Sequence, residues 1–273
     1  MNKKRLLIIL LMLFLSISIL VSCNNEESNY KRENQSGKDK ENVELIFSAA
    51  ASLTDVLEEL KDEYIKDNPN VDIKYTFDSS GTLQTQIEER APVDIFFSAA
   101  DKQMDVLEEK DLLVDGSRKT MLKNTVVLIV PKDTNIEIKS FEDLKNEDIK
   151  KIAIGDPEFV PVGQYSKEIF DSLDLTSSIM DKVIFGNNVR TVLTWVEEGE
   201  VDCGLVYATD AYTTDDVEIV VEAPEDSYKD VTYPIAIIND SDNVKEAERF
   251  IEFLSNKKSQ EVFKSYGFDI GQE

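Results

Sequence analysis

The run Gly155-Asp156-Pro157-Glu158-Phe159-Val160-Pro161-Val162-Gly163-Gln164 constrains this chain more than any other stretch. A short apolar segment, residues 151–154, leads into it, and a helical pattern, residues 165–173, leads out. A strand that turns through Pro and Gly into a helix is the repeating unit of an α/β fold. Such a turn leaves the first N–H groups of the helix without internal partners. With the positive end of the helix dipole, they form an anion site that needs no basic side chain. Pro161 has no N–H to offer, whereas Val162, Gly163 and Gln164 do. Gly163 also lets backbone approach a ligand closely. A single turn of this kind is more often a plain connection, but the chain holds three more.

The first of these is Phe47-Ser48-Ala49-Ala50-Ala51-Ser52-Leu53-Thr54. It ends a strand over 43–48 and opens a helix with Leu53, Val56, Leu57 and Leu60 on one face. Ser52 stands at the N-cap position, and the three alanines leave space where bulk would otherwise fill. The second is Asp78-Ser79-Ser80-Gly81-Thr82-Leu83, after the alternating strand 71–77. Its hydroxyls either bind an oxyanion or merely cap the helix. The third is Phe185-Gly186-Asn187-Asn188-Val189-Arg190, where Asn188 reads as N-cap and the N–H groups of Val189 and Arg190 point outward. A buried strand, 201–207, then ends in Tyr207. Open α/β sheets place ligands beyond the carboxyl ends of their strands, so the Tyr207 phenol belongs there too.

Several chemistries are excluded by what is missing. The chain has no histidine, which removes Ser-His-Asp and Cys-His nucleophilic arrangements and most His-based metal hydrolysis. No Gly-x-x-x-x-Gly-Lys-Ser/Thr phosphate loop occurs. A Ser-Lys hydrolase using Ser52 or Ser80 stays open, although no lysine lies in these turns. The formal net charge of −25 argues against nucleic acid as a partner. It does not forbid an anionic ligand, because remote carboxylates are screened beyond ~8 Å at physiological ionic strength.

The N-terminus reads Met-Asn-Lys-Lys-Arg followed by an apolar run from Leu6 to Val21. That is the pattern of a secretory signal peptide, residues 1–22. Its end, Leu20-Val21-Ser22-Cys23, resembles the lipobox of bacterial lipoproteins, in which the cysteine carries the lipid. Residues 23–42 are polar and are expected to form a flexible tether. The remaining cysteine, Cys203, reads as a small buried apolar residue.

The ordered set of motifs is similar to the substrate-binding protein family of bacterial molybdate ABC transporters. It comprises Ala49-Ala50-Ala51-Ser52-Leu53-Thr54, Ser79-Ser80-Gly81-Thr82-Leu83, Ala91-Pro92-Val93-Asp94, Gly155-Asp156-Pro157, Val160-Pro161-Val162-Gly163, Asn188-Val189-Arg190, Gly204-Leu205-Val206-Tyr207 and Tyr233-Pro234-Ile235-Ala236. The resemblance implies a two-lobe α/β fold of the type II periplasmic-binding-protein class, each lobe a mixed, mostly parallel sheet flanked by helices. Lobe 1 would comprise 43–124 and 234–273, lobe 2 125–233, with crossings near 123–127 and 232–235. It further implies a non-enzymatic, monomeric receptor without a cofactor that passes molybdate or tungstate to a membrane permease. The family's ligand positions fall on Ser52 and Ser80, on the backbone N–H groups of Val162 and Val189, and on the Tyr207 hydroxyl. Position 162 departs from the family's usual alanine, which leaves the backbone donor intact. Arg190 is a rival ligand, expected instead to point away. A receptor for sulfate, phosphate or a small organic acid is the alternative within the same chemistry.

Lipid attachment at Cys23 has a direct check. Cys23→Ala is expected to carry no acyl mass and to move from the detergent phase to the aqueous phase in a partition assay. A wild-type protein that already partitions into water would refute the anchor.

Overall fold

The computed structural model describes residues 42–271. The signal-peptide, tether and Cys23 expectations lie outside the described residues. The chain first forms β1 (Val43–Ala50), α1 (Thr54–Asp67), β2 (Val71–Asp78), α2 (Ser80–Glu88), β3 (Ile95–Phe97), α3 (Asp101–Glu109) and β4 (Lys119–Asn124). It continues with β5 (Val126–Pro131), β6 (Ile152–Gly155), α4 (Pro161–Ser172), α5 (Thr176–Ile179), β7 (Val183–Gly186), α6 (Val189–Glu197), β8 (Cys203–Tyr207), α7 (Ala208–Ala211) and β9 (Val217–Glu222). It closes with β10 (Val231–Ile237), α8 (Val244–Ser255), α9 (Lys257–Ser265) and β11 (Asp269–Ile270).

These strands make two sheets. One has the order β11-β4-β10-β3-β1-β2, the other β7-β6-β8-β5-β9. The chain leaves the first sheet between β4 and β5 and returns between β9 and β10. The outward crossing falls where the sequence suggests it. The return does not: β10 already pairs with β4 from Val231, so 232–235 lies inside the first sheet and the passage runs through 223–230.

Both sheets are less parallel than expected. Parallel pairing is confined to β2-β1-β3 and to β7-β6-β8. The strands next to the crossings, β4, β5 and β10, pair antiparallel. The reason is connectivity. Strand–helix–strand units repeat in parallel, whereas a strand entering from the other sheet has no crossover helix to fix its direction.

Burial follows the pattern of residues. The inner strands β1, β5, β6 and β8 are near-continuous apolar runs, as two-sided burial requires. Leu45, Phe47 and Phe250 sit in the main core, and a second cluster with Leu83, Phe96, Met104 and Ala236 fills the other face of the first sheet. Cys203 is fully buried in β8, and burial pushes its thiol up to about 12. Trp195 is half-buried and packs against the main core.

Gly163 has a different role from the one its sequence position suggests. A Cβ there would meet the Gly155 carbonyl oxygen at 2.0 Å. The glycine therefore lets α4 seat on the end of β6, rather than admitting a ligand. Gly163→Ala is expected to lower stability by about 1–3 kcal/mol through overpacking. Urea unfolding would show this as a lower midpoint at unchanged slope, and an unchanged midpoint would contradict the close approach.

Candidate functional site

The carboxyl ends of β1, β2, β6, β7 and β8 converge on one small cavity. Ser52, Ser80, Val162, Val189 and Tyr207 all line it, so residues from both sheets meet there. Ala50, Ala51 and Ala99 complete its apolar wall, and Ala49 of the alanine run is buried in β1 instead. The cavity is small, about 10 Å³. Ligands of drug size need ~300–1,000 Å³, so the cavity suits a compact solute of a few atoms.

Each helix start contributes in the same way. At α4, the N–H groups of Gly163 and Gln164 both donate to the Val160 carbonyl, at 2.9 and 3.1 Å. They are therefore not ligand donors. Val162 is left, because the second residue of a helix has no internal acceptor. At α6, the Asn188 side chain caps as expected, accepting from Thr191 N–H at 3.0 Å, and its carbonyl accepts from Val192 N–H. Val189 remains at the cavity wall. At α2, Ser79 is the N-cap, its hydroxyl accepting from Thr82 N–H at 3.2 Å. Ser79 N–H donates to the Asp78 carboxylate at 2.7 Å and Gly81 N–H to the Phe159 carbonyl at 2.9 Å. Ser80 N–H is left over.

The three hydroxyls are held from behind or held by nothing. Ser80 Oγ accepts from Ala99 N–H at 2.9 Å. Ser52 does not cap a helix. It sits in a single 3₁₀ turn, α1 begins two residues later, and its Oγ lies 2.9 Å from Tyr233 Oη. Tyr207 is 1% exposed, and its Oη has no hydrogen-bond partner among the described residues. A buried phenol left unpaired costs about 1–3 kcal/mol. Burial raises the Tyr207 pKa well above its usual value, so the group stays an O–H donor.

Sequence reasoning missed three features here. Asp78 reaches the cavity wall, a carboxylate beside a ring of donors, with one oxygen engaged by Ser79 N–H. Tyr233 and Asn124 stand behind Ser52, with Asn124 Nδ2 3.2 Å from Tyr233 Oη. Gly81 N–H to Phe159 O links the two sheets' helix starts directly, and a Cβ on Gly81 would meet that oxygen at 2.4 Å. The links from Asn124 to Tyr233, from Tyr233 to Ser52 and from Gly81 to Phe159 are remote in sequence, so no spacing signals them.

Arg190 turns away from the cavity. Its guanidinium pairs with Asp55 on α1, contacts Thr213 Oγ1 at 3.2 Å, and holds Nε 2.9 Å from Asp210 Oδ1. Asp210 is fully buried, and neither of its oxygens has an aligned hydrogen bond. Its contact with Arg190 is therefore one of charge rather than of geometry. Desolvation pushes the Asp210 carboxyl up to about 6, partly offset by Arg190 and reinforced by Asp55.

A larger concavity of about 460 Å³ lies apart from the helix starts, next to β4 and α9. Its Arg118 is held by Asp101, Asp105 and Glu108 at 2.9, 2.7 and 2.6 Å. That leaves it little capacity for an external anion.

Comparison with known proteins agrees with this architecture. Residues 45–269 match the family described as bacterial extracellular solute-binding protein, and the chain belongs to that family. Among individual relatives, a Bacillus subtilis protein provisionally named an ABC transporter substrate-binding lipoprotein, YvgL, is 42% identical over 237 residues, 86% of this chain and 90% of its own. The molybdate-binding protein ModA of Haemophilus influenzae is 38% identical over 229 residues, 83% of this chain and 90% of its own. The solved periplasmic molybdate-binding protein of Azotobacter vinelandii superposes with a TM-score of 0.76, covering 84% of this chain and all of that one. At 21% identity, that likeness speaks for the two-lobe fold alone.

The Asp210 environment gives a signed pH dependence. Its folded pKa is raised above the ordinary carboxylate value, so the folded state holds its proton more tightly. The stability this supplies is full below the unfolded pKa and is lost as pH rises through about 6. Between pH 7.5 and 5 it should add roughly 1–2 kcal/mol on acidification. Asp210→Asn removes the titration. Subtracting its pH–stability curve from the wild type's should leave this slope, and parallel curves would exclude it.

Proposed function

We propose that this chain is the extracytoplasmic receptor of a molybdate ABC transporter. It captures molybdate or tungstate between its lobes, held to the membrane by lipid on Cys23, and delivers the anion to the permease. The observation that carries this reading is the buried Tyr207 hydroxyl, without a partner among the described residues, at a cavity whose helix starts leave N–H groups unused at the wall. Ser52, Ser80, Val162, Val189 and Tyr207 are its proposed ligand set.

A dianion removed from water needs many short, aimed hydrogen bonds. Neutral dipoles supply them here without a counter-ion, since Arg190 is committed to Asp55 and Asp210. Fully ionised molybdate is acceptor-only and matches the donors that converge here, with the Asp78 carboxylate beside them. Hydrogen phosphate carries a proton that would need an acceptor, and among the described residues the only carboxylate at the wall is Asp78, already taking Ser79 N–H on one oxygen. Sulfate is acceptor-only too, so size must discriminate against it. The names of the ModA relatives and of the lipoprotein relative support the same ligand class and the same anchorage. We assign no catalytic step, because no lysine or histidine lines the cavity.

The test is ligand-induced stabilisation of residues 42–273. Molybdate at 100 times its dissociation constant should add ~2.7 kcal/mol, with sulfate and phosphate at equal concentration adding much less. Ser52→Ala, Ser80→Ala and Tyr207→Phe should each cost roughly 1.5–3 kcal/mol of binding, one to two decades in affinity. An equal shift with sulfate would remove the molybdate assignment. Normal binding by all three variants would remove the ligand set.

A further inference from the structure

The hydrogen bonds behind Ser52 have a fixed direction, and it can be traced atom by atom. Asn124 lies at the end of β4, where the chain leaves the first sheet. Its Oδ1 is 2.9 Å from Thr125 N–H. A backbone N–H can only donate, so this side of the amide is the oxygen and the other is the NH₂ group. The two Nδ2 protons then go to Tyr233 Oη at 3.2 Å and to Thr209 Oγ1 at 2.8 Å. Thr209 is on α7, beyond the second sheet, so this one amide ties both lobes.

Tyr233 Oη is thereby an acceptor from Asn124. Its own proton has one acceptor within reach among the described residues, Ser52 Oγ at 2.9 Å. Tyr233 is fully buried, so a proton directed anywhere else would be left unpaired at a cost. Ser52 Oγ therefore receives a proton from behind. Its own hydroxyl proton has only the cavity to face.

We infer that Asn124 and Tyr233 are positioning residues that make Ser52 an obligate donor, and so tune the site to fully deprotonated oxyanions against protonated ones. The inference rests on the anion-receptor reading and deepens it. The direction of the relay is not an accident of one bond, since Ser80 is polarised likewise by Ala99 N–H. Burial keeps the Tyr233 phenol protonated far above neutral pH, so the relay does not switch off in the physiological range. The device adds no charge to the site.

The relay can be reversed with one isosteric change. The carboxylate of Asn124→Asp still accepts from Thr125 N–H, but its second oxygen can only accept. Tyr233 would then donate to that oxygen, and Ser52 would donate to Tyr233. The anion would face a lone pair instead of a proton. Molybdate affinity at pH 8, read by calorimetry, should fall about thirtyfold, roughly the worth of a charge-assisted hydrogen bond. An added carboxylate alone would also weaken an anion site, so the deciding variant is the double, Asn124→Asp with Tyr233→Phe. Without the phenol, the new carboxylate cannot reverse Ser52, and affinity should recover about tenfold over the single variant. A through-space charge effect would give no recovery.

A double variant that binds no better than Asn124→Asp overturns the relay, provided the wild type binds molybdate. A wild type that binds no molybdate overturns the receptor reading itself, and the relay with it. If Asn124→Asp fails to fold, Tyr233→Phe alone decides. Its Ser52 hydroxyl is free to accept, so the ratio of sulfate to hydrogen-phosphate affinity should drop at least about fivefold. An unchanged ratio overturns the proposal.

Discussion

The cavity depends on one constraint: unpaired backbone donors must be aimed at a single point while most of their neighbours are satisfied elsewhere. A helix start leaves several N–H groups free, and any one left without a partner in a dry interior is costly. Here the surplus is absorbed locally. The Val160 carbonyl takes up Gly163 and Gln164, Asn188 takes up Thr191 and Val192, and Ser79 with Asp78 takes up Thr82 and Ser79 itself. What remains at the wall is Val162, Val189 and Ser80. Specific geometry therefore arises from capping, the most ordinary of local interactions, used by subtraction.

Two further contacts bind the lobes across the cavity, and they differ in kind. Gly81 N–H to Phe159 O is a neutral backbone bond that exists because residue 81 has no side chain. Asp55–Arg190–Asp210 is a charged bridge whose inner carboxylate is fully buried and poorly hydrogen-bonded. The first fixes distance. The second keeps the Arg190 guanidinium away from the cavity and holds it between two carboxylates. A site formed of neutral dipoles needs this arrangement, because a free guanidinium at its edge would attract anions without regard to shape. The acidic surface of the chain does not compete, being screened over short distances.

Connectivity divides the cavity wall between the two lobes. Ser52 and Ser80 belong to the first sheet's turns, and Val162, Val189 and Tyr207 to the second's. The lobes are joined through the short crossing after Asn124 and the longer passage before Val231. Asn124 thus stands at a joint, with one proton given to each side. The same amide therefore touches both lobes and sets the direction of the Tyr233 hydroxyl.

Much of this is legible in the sequence, and for a physical reason. Strand and helix periodicity, Pro161 at a helix start, Asn188 as cap and the apolar run ending in Tyr207 are local properties, and local sequence encodes them. The five cavity residues each follow from turns of this kind or from the resemblance they form in order. What misleads is equally local. Ser52 looks like a cap but sits in a 3₁₀ turn with its hydroxyl on Tyr233. Gly163 looks like a ligand contact but relieves the packing of α4 on β6. The return crossing falls before Val231 because pairing with β4 claims β10 from its first residue. Tertiary structure alone decided the relay from Asn124 to Ser52, the bridge from Asp55 to Asp210, and which N–H groups of the helix starts are left at the cavity wall. Those facts depend on residues far apart along the chain, and only the packing of two sheets brings their atoms within hydrogen-bond range.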